Sequence, residues 1–171
     1  GINSNFHVRK DIISIREKEQ EAAALILGVK RVHYMDYKDG ILTPSMEARK
    51  NTVRIIRSIK PHIVVTCDPT NYYLNENYLN HPEHRAAGQI VVDSIFPAVK
   101  NELFFPELLK EKISPHRVEE VWLSLPKEVN VSFDVTDNWP LKVKALEQHV
   151  SQIGDLTEFR EHMKSKYSFI D

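Results

Sequence analysis

The feature that most constrains this chain is the run Ile63-Val64-Val65-Thr66-Cys67, set between two segments of helical periodicity. A nearly continuous apolar run of this length, closed by the turn pair Asp68-Pro69, reads as a strand covered on both faces, as in a parallel sheet. Parallel neighbours need long crossovers, and helices supply them. Upstream, residues 46–59 place Val53, Ile56 and Ile59 at helical spacing among basic residues, with Pro61 beyond the end. Downstream, Pro82 opens a third helical pattern that runs through Val92 and Ile95.

The same alternation extends along the chain. Residues 9–27 set Ile12, Ile15, Ala22, Ala23, Leu25 and Ile26 among Arg, Lys and Glu, and Gly28 follows as a stop signal, so a long amphipathic helix is expected. Residues 31–37 read as a second parallel strand ending in Lys38-Asp39-Gly40. Residues 97–115 read as a loop with a short helix, 118–125 and 129–135 as two further strands, and 140–150 and 156–163 as helices. The pattern predicts one α/β domain over 1–171, a Rossmann-like three-layer sandwich with a mostly parallel sheet. The first helix arrives with no strand before it, so this reading also expects an upstream strand–helix unit and treats the domain as N-terminally incomplete.

Composition narrows the function classes. With 171 residues, 23 basic and 24 acidic groups and a formal net charge of -1, the chain has no overall attraction for nucleic acid or an anionic membrane. No apolar stretch approaches the roughly 20 residues that span a bilayer. The single cysteine, Cys67, excludes an internal disulfide framework and a Cys-rich zinc module, and fits a reducing, cytoplasmic compartment. Cys67 itself reads as a packed strand residue rather than a nucleophile, and Trp122 and Trp139 as partly buried core. Arg49, Lys50, Arg54 and Arg57 read as the solvated face of their helix.

Ligands of open α/β sheets bind beyond the carboxyl ends of the strands. The two parallel strands read here deliver Asp39 and Asp68 to that edge, where each carboxylate either serves a site or simply makes its turn. The strongest local signal is Asn80-His81-Pro82-Glu83-His84-Arg85, in a long loop that also contains Tyr72, Tyr73 and Tyr78. Proline at the first helical position puts His81 at the N-cap and His84 one turn in, so two imidazoles share one helix N-terminus. Imidazole is both the commonest metal ligand and a usual general acid or base. The structural alternative is a capping His81, a Glu83 that favours the helix dipole and an exposed His84.

His81-Pro82-Glu83-His84-Arg85-Ala86-Ala87-Gly88, following Val64-Val65-Thr66-Cys67-Asp68-Pro69, resembles the second motif of the PIG-L/LmbE family of zinc-dependent de-N-acetylases, which usually reads His-Pro-Asp-His. Further pieces occur in the family's order: Arg16-Glu17-Lys18-Glu19 with Leu27-Gly28-Val29, then Tyr37-Lys38-Asp39-Gly40, then Val135-Thr136 and His149-Val150-Ser151-Gln152. The resemblance implies a hydrolase that removes an acetyl group from an N-acetylglucosamine-type conjugate with Zn2+ as cofactor. It implies His84 as a zinc ligand, His81 as the group that polarises or protonates the reacting amide, and Arg16 and Asp39 as residues lining the sugar pocket. The role of His149 is left open, as is a homo-oligomer. Glu83 replaces the usual aspartate, and Leu79 stands where some relatives carry tyrosine. The family's first motif, His-Pro-Asp-Asp, which supplies the remaining zinc ligands and the general base, is not in this sequence. Two other readings stand beside this one. One is a non-catalytic α/β binding protein that has lost the metal; the other is a small hydrolase that builds a different site from His81, His84, Asp68 and His7.

Overall fold

A computed structural model describes residues 9–166, which divide into two compact units, 35–131 on one hand and 9–34 with 132–166 on the other. The central unit begins with α2, Met46–Ile59, which follows the expected bounds. Ser45 caps it by accepting the Ala48 N–H at 3.1 Å, and Lys60 ends it in the left-handed region at φ 55°. Strand β1, Ile63–Cys67, follows as expected and pairs in parallel with β4, Glu120–Ser124, from Ile63 opposite Glu120 to Cys67 opposite Ser124. The chain is therefore α/β with a parallel sheet, the class the sequence predicts.

The sheet departs from expectation in three ways. Residues 31–37 form no strand: the segment joins no ladder among the described residues, and Asp36 near its end takes a left-handed φ of 56°, outside β geometry. Residues 129–135 alternate like a strand, yet Val129, Val131, Phe133 and Val135 are exposed and the segment joins no ladder among the described residues. Alternation prepares a face, but a strand also needs a neighbour for its backbone groups. Finally, β1 is not covered on both faces: Val65 is 62% exposed, while Val64, Thr66 and Cys67 are half-buried.

Between β1 and β4 runs the crossover that carries the candidate site. A short antiparallel hairpin, β2 (Tyr73–Asn75) and β3 (Tyr78–Leu79), precedes helix α3, Pro82–Asp93. A π-helical turn, Ser94–Val99, continues α3 and kinks at Phe96 before Pro97. The four-residue helix α4, Glu107–Lys110, is the short helix expected in 97–115. Val53 and Ile56 of α2 pack with Ala98, Val99 and Leu108 into the core, with Ile95, Phe104, Phe105, Ile113 and Val118 around them.

Arg57 corrects the reading of the basic run. Arg49, Lys50 and Arg54 do sit at the surface of α2 in ion pairs with Asp93, Glu107 and Glu111. Arg57 is fully buried, because it falls one turn after Val53 and next to Ile56 on the apolar stripe. Its Nε donates to Val99 O at 3.1 Å, and its Nη2 to the carbonyls of Ala98, Asn101 and Phe104 at 2.9, 2.8 and 3.2 Å. Burial pushes the guanidinium below its ordinary pKa.

In the other unit α1, Arg9–Ile26, follows the predicted helix and buries Ala23 and Ala24, whereas Leu25 is 80% exposed. It packs against α5, Trp139–Leu146, and α6, Val150–Ile153; α7, Leu156–Lys166, completes the unit. Glu19 of α1 accepts the Ser151 backbone N–H at 2.7 Å and the Ser151 hydroxyl at 2.6 Å, holding the first turn of α6.

Two contacts set where α3 and the strand ends lie. A Cβ on Gly88 would stand 2.3 Å from the Cys67 carbonyl oxygen and 3.2 Å from Pro69 N, so only glycine lets α3 approach the end of β1 this closely. Asp68, buried at the same place, accepts the Thr70 N–H at 2.8 Å and hydroxyl at 2.7 Å on Oδ1, and the Lys127 N–H at 3.1 Å on Oδ2. One carboxylate thus ties the turns that leave both parallel strands. In an exposed helix Gly→Ala stabilises by about 1 kcal/mol, but overpacking against backbone costs about 1–3 kcal/mol. Gly88→Ala is expected to lower the urea midpoint; a rise would show that α3 can move off β1. For Asp68, desolvation raises the pKa, but the bonds from Thr70 and Lys127 win and hold it below the ordinary value. A depressed carboxylate stabilises the fold above its unfolded pKa, and that contribution is lost as pH falls through the folded value. Asp68→Asn keeps an acceptor for Thr70 and loses the one for Lys127, at a cost of about 1–3 kcal/mol. The stability gap to wild type should be constant from about pH 5 to 7 and narrow below about pH 4 in denaturation curves run at each pH.

Candidate active site

His81 and His84 are brought together at the start of α3. Pro82 at the first helical position has no N–H to lose and presets the backbone for the helix. His81 is the N-cap, with φ −57° and ψ 134°, and its Nδ1 accepts the Glu83 N–H at 3.3 Å. That bond assigns the proton of the neutral ring to Nε2, because an accepting nitrogen carries none. His84 lies one turn along the same helix, its ring centroid 5.5 Å from that of His81 and the planes inclined by 50°. Both imidazoles are exposed, at the end of a helix whose dipole favours electron-rich groups.

The preceding loop is held from several sides. The Asn80 N–H donates to Tyr72 O at 2.8 Å, and Asn80 Nδ2 to Asn71 O at 2.8 Å. Asn71 Nδ2 in turn donates to Leu125 O at 2.9 Å, just past β4. Arg85 of α3 donates to Asn80 O and lies over the Tyr72 ring, with its guanidinium carbon 4.2 Å from the ring centroid. Tyr73 and Tyr78 are exposed on the hairpin. Neither the hairpin nor a role for Arg85 is among the expectations from sequence. Asn75-Glu76-Asn77 between tyrosines is the turn signal that marks the hairpin, and Asn75 Oδ1 accepts the Asn77 N–H at 2.9 Å.

Asp39 is exposed in a turn at 39–40, where Gly40 takes φ 86°. The Glu83 side chain, 16% exposed, reaches this turn: its Oε1 accepts the Leu42 N–H at 2.9 Å. Hydrogen bonds from Leu42 first, then Gly40, hold the Glu83 carboxyl below its ordinary pKa against desolvation, with smaller contributions from Asp39 and His81. Glu83 Oε2 lies 4.0 Å from His81 Nδ1, outside hydrogen-bond distance.

The other expected residues belong to the other unit. Arg16 is half-buried on α1 with its Nε enclosed and unbonded, and His149 is the N-cap residue of α6 without a capping side-chain bond. Asp68 serves the turns already described rather than presenting a free carboxylate. His7 lies outside the described residues. A catalytic zinc takes three protein ligands and a water. Among the described residues no three His, Cys, Asp or Glu side chains converge, so His81 and His84 do not by themselves make that centre. No helix among the described residues is long and apolar enough to cross a membrane.

The PIG-L family, described as GlcNAc-PI de-N-acetylase, matches residues 2–95, which include α1, the Asp39 turn, β1 and the His81–His84 segment. The diacetylchitobiose deacetylase of Thermococcus kodakarensis is 33% identical over 141 residues, 82% of this chain and 50% of that protein. A probable N-acetyl-alpha-D-glucosaminyl L-malate deacetylase 2 of Bacillus anthracis is 30% identical over 157 residues, 89% of this chain and 62% of its own length. The chain thus spans about half to three-fifths of these relatives. The N,N'-diacetylchitobiose deacetylase structure from Pyrococcus horikoshii superimposes with a TM-score of 0.84 at 28% identity, over 99% of this chain and 62% of that one. The conserved protein TT1542 from Thermus thermophilus shares the fold, with a TM-score of 0.60 at 21% identity over 90% of this chain and 66% of that one. The ordered motifs, the paired imidazoles at the start of α3 and the match over residues 2–95 establish that this chain belongs to the PIG-L family.

Proposed function

We propose that the protein is a zinc-dependent hydrolase that removes an acetyl group from an N-acetylglucosamine-type amino-sugar conjugate in the cytoplasm. The observation that carries this reading is the His81 and His84 pair at the N-terminus of α3, in a chain related to deacetylases of acetylated amino sugars.

Amide hydrolysis builds negative charge on the carbonyl oxygen, and donors aimed at that oxygen lower the barrier. His81 suits the task. Its Nδ1 is occupied by the Glu83 N–H, which leaves the Nε2 proton for the developing oxyanion and then for the departing amine. The cap also fixes the backbone of His81, so the ring starts from a restrained position. Asp39 contributes a carboxylate acceptor suited to sugar hydroxyls, and the family resemblance carries a sugar-binding role for the Arg16 guanidinium. His84 would hold the zinc as one of its protein ligands. A zinc centre needs further donors beyond the described cluster, and the steps assigned to His81, Asp39 and Arg16 belong to the side chains alone.

Substitutions in the whole protein separate the two histidines. His84→Ala is expected to drive zinc content, measured by atomic emission after dialysis, toward zero. His81→Ala should keep its zinc while acetate release from an N-acetylated amino sugar falls by about a hundredfold or more. Full zinc occupancy in His84→Ala would remove its role as ligand. A wild-type protein that binds such sugars without ever releasing acetate would instead be a binding protein.

A further inference from the structure

The Glu83 side chain makes its bonds to a loop forty residues away in sequence, and not to the histidine beside it. Oε1 accepts the Leu42 N–H at 2.9 Å, whereas Oε2 stays 4.0 Å from His81 Nδ1. Leu42 follows the Asp39–Gly40 turn, so the bond holds the exit of that turn. The 39–42 segment has no strand or helix of its own to hold it, since its residues form only a turn and an irregular stretch before α2. Its fixed points among the described contacts are therefore this carboxylate and a bond from Ile41 N–H to Lys38 O. The carboxylate stands on the first turn of α3, one residue from Pro82 and two from His81, where the backbone is set by the cap. An aspartate at this position would be one methylene, about 1.5 Å, shorter.

We infer that Glu83 is a positioning residue that latches the Asp39 turn to the N-terminus of α3, so that Asp39 and His81 meet a substrate as one preset unit. The latch rests on the proposed function only in its consequence for substrate; the contact itself stands on the structure. Holding a turn in its bound conformation removes an ordering cost that a substrate would otherwise meet, which acts on binding more than on turnover. Glutamate also works through reach: a shorter carboxylate keeps the negative charge near the helix end but withdraws from Leu42.

Glu83→Asp and Glu83→Gln test this in opposite directions. Glutamine keeps the length and a carbonyl acceptor for the Leu42 N–H; aspartate keeps the charge and loses the length. Amide hydrogen exchange of Leu42 in the whole protein reads the latch without reference to activity. Protection at Leu42 should fall by about tenfold or more in Glu83→Asp and stay near wild type in Glu83→Gln. With an N-acetylated amino sugar as probe, KM should rise by about tenfold in Glu83→Asp with kcat changed far less, and Glu83→Gln should retain the wild-type KM. A merely stabilising side chain would shift the unfolding midpoint in both variants and leave KM alone. Unchanged Leu42 protection in Glu83→Asp overturns the latch, as does a fall in kcat at constant KM, which would place Glu83 on His81 instead. Lost protection at constant KM and kcat overturns the inference that the latch presents Asp39 to substrate, while leaving the deacetylase reading in place; absence of any acetate release in the wild type would instead count against that reading.

Discussion

A buried cation with no carboxylate partner holds the central unit together. Arg57 sits fully inside the core and directs its guanidinium at the carbonyls of Ala98, Val99, Asn101 and Phe104. Those carbonyls follow the break of the π-helical turn at Phe96 and Pro97, and three of them also accept backbone N–H groups: Ala98 O from Asn101, Val99 O from His116 and Asn101 O from Phe104. Arg57 fills the second lone pair of these acceptors and joins four points of one bend through a single side chain. The loss of hydration that pushes the Arg57 pKa down is offset by converging carbonyl dipoles in a low-dielectric site. The geometry also requires arginine, because a lysine ammonium has no planar fork that reaches several carbonyls of one bend.

The consequence for the site is mechanical. Arg57 belongs to α2, and the carbonyls it holds follow the C-terminal end of α3, so that end is fixed to α2. Arg49 of α2 adds a second link, its Nη2 donating to Asp93 Oδ2 at 2.7 Å. Midway along, Gly88 lets α3 rest on the carbonyl of Cys67. The N-terminal end, where His81 and His84 lie, is tied to the strand ends through Asn80, Asn71 and Leu125. A helix held at its far end, its middle and its entry loop has little freedom to tilt, and positioning to a fraction of an ångström is what catalytic side chains require.

Much of this unit was legible in the sequence because local and tertiary preferences agree there. Helix α2 has a side-chain cap, a full apolar stripe and a stop, and its bounds follow. Strand β1 and the start of α3 were legible for the same reason, one from β-branched residues and the other from His-Pro. Where one preference acted alone, it misled. Residues 129–135 have the alternation of a strand and no ladder neighbour among the described residues; residues 31–37 have the composition and a left-handed Asp36. Arg57 shows the reverse case, since its charge suggested solvent while its spacing from Val53 had already placed it on the buried stripe. Asp68 and Glu83 were legible as carboxylates near a sheet edge, and the Thr70 bonds of Asp68 are those of a local turn, but the N–H groups of Lys127 and Leu42 that they also accept are distant in sequence, which no local pattern encodes.

Hydrogen bonding divides the polar groups near α3 by role more sharply than residue type does. Asp68 uses both oxygens on turns, Arg85 is engaged by Asn80 and the Tyr72 face, and Glu83 by the 39–42 segment. An atom engaged in this way cannot take a substrate without breaking structure, and each such exchange costs what the lost bond contributed. His81 differs, because its cap uses Nδ1 alone, and the His84 ring makes a contact with His81 and no side-chain hydrogen bond among the described residues. His81 Nε2 and the His84 ring can therefore gain a ligand at the helix end at no cost in the bonds described. The bonded residues around them do the complementary work: they keep the imidazoles where they are, so that little of the binding energy of an incoming group is used to organise the site.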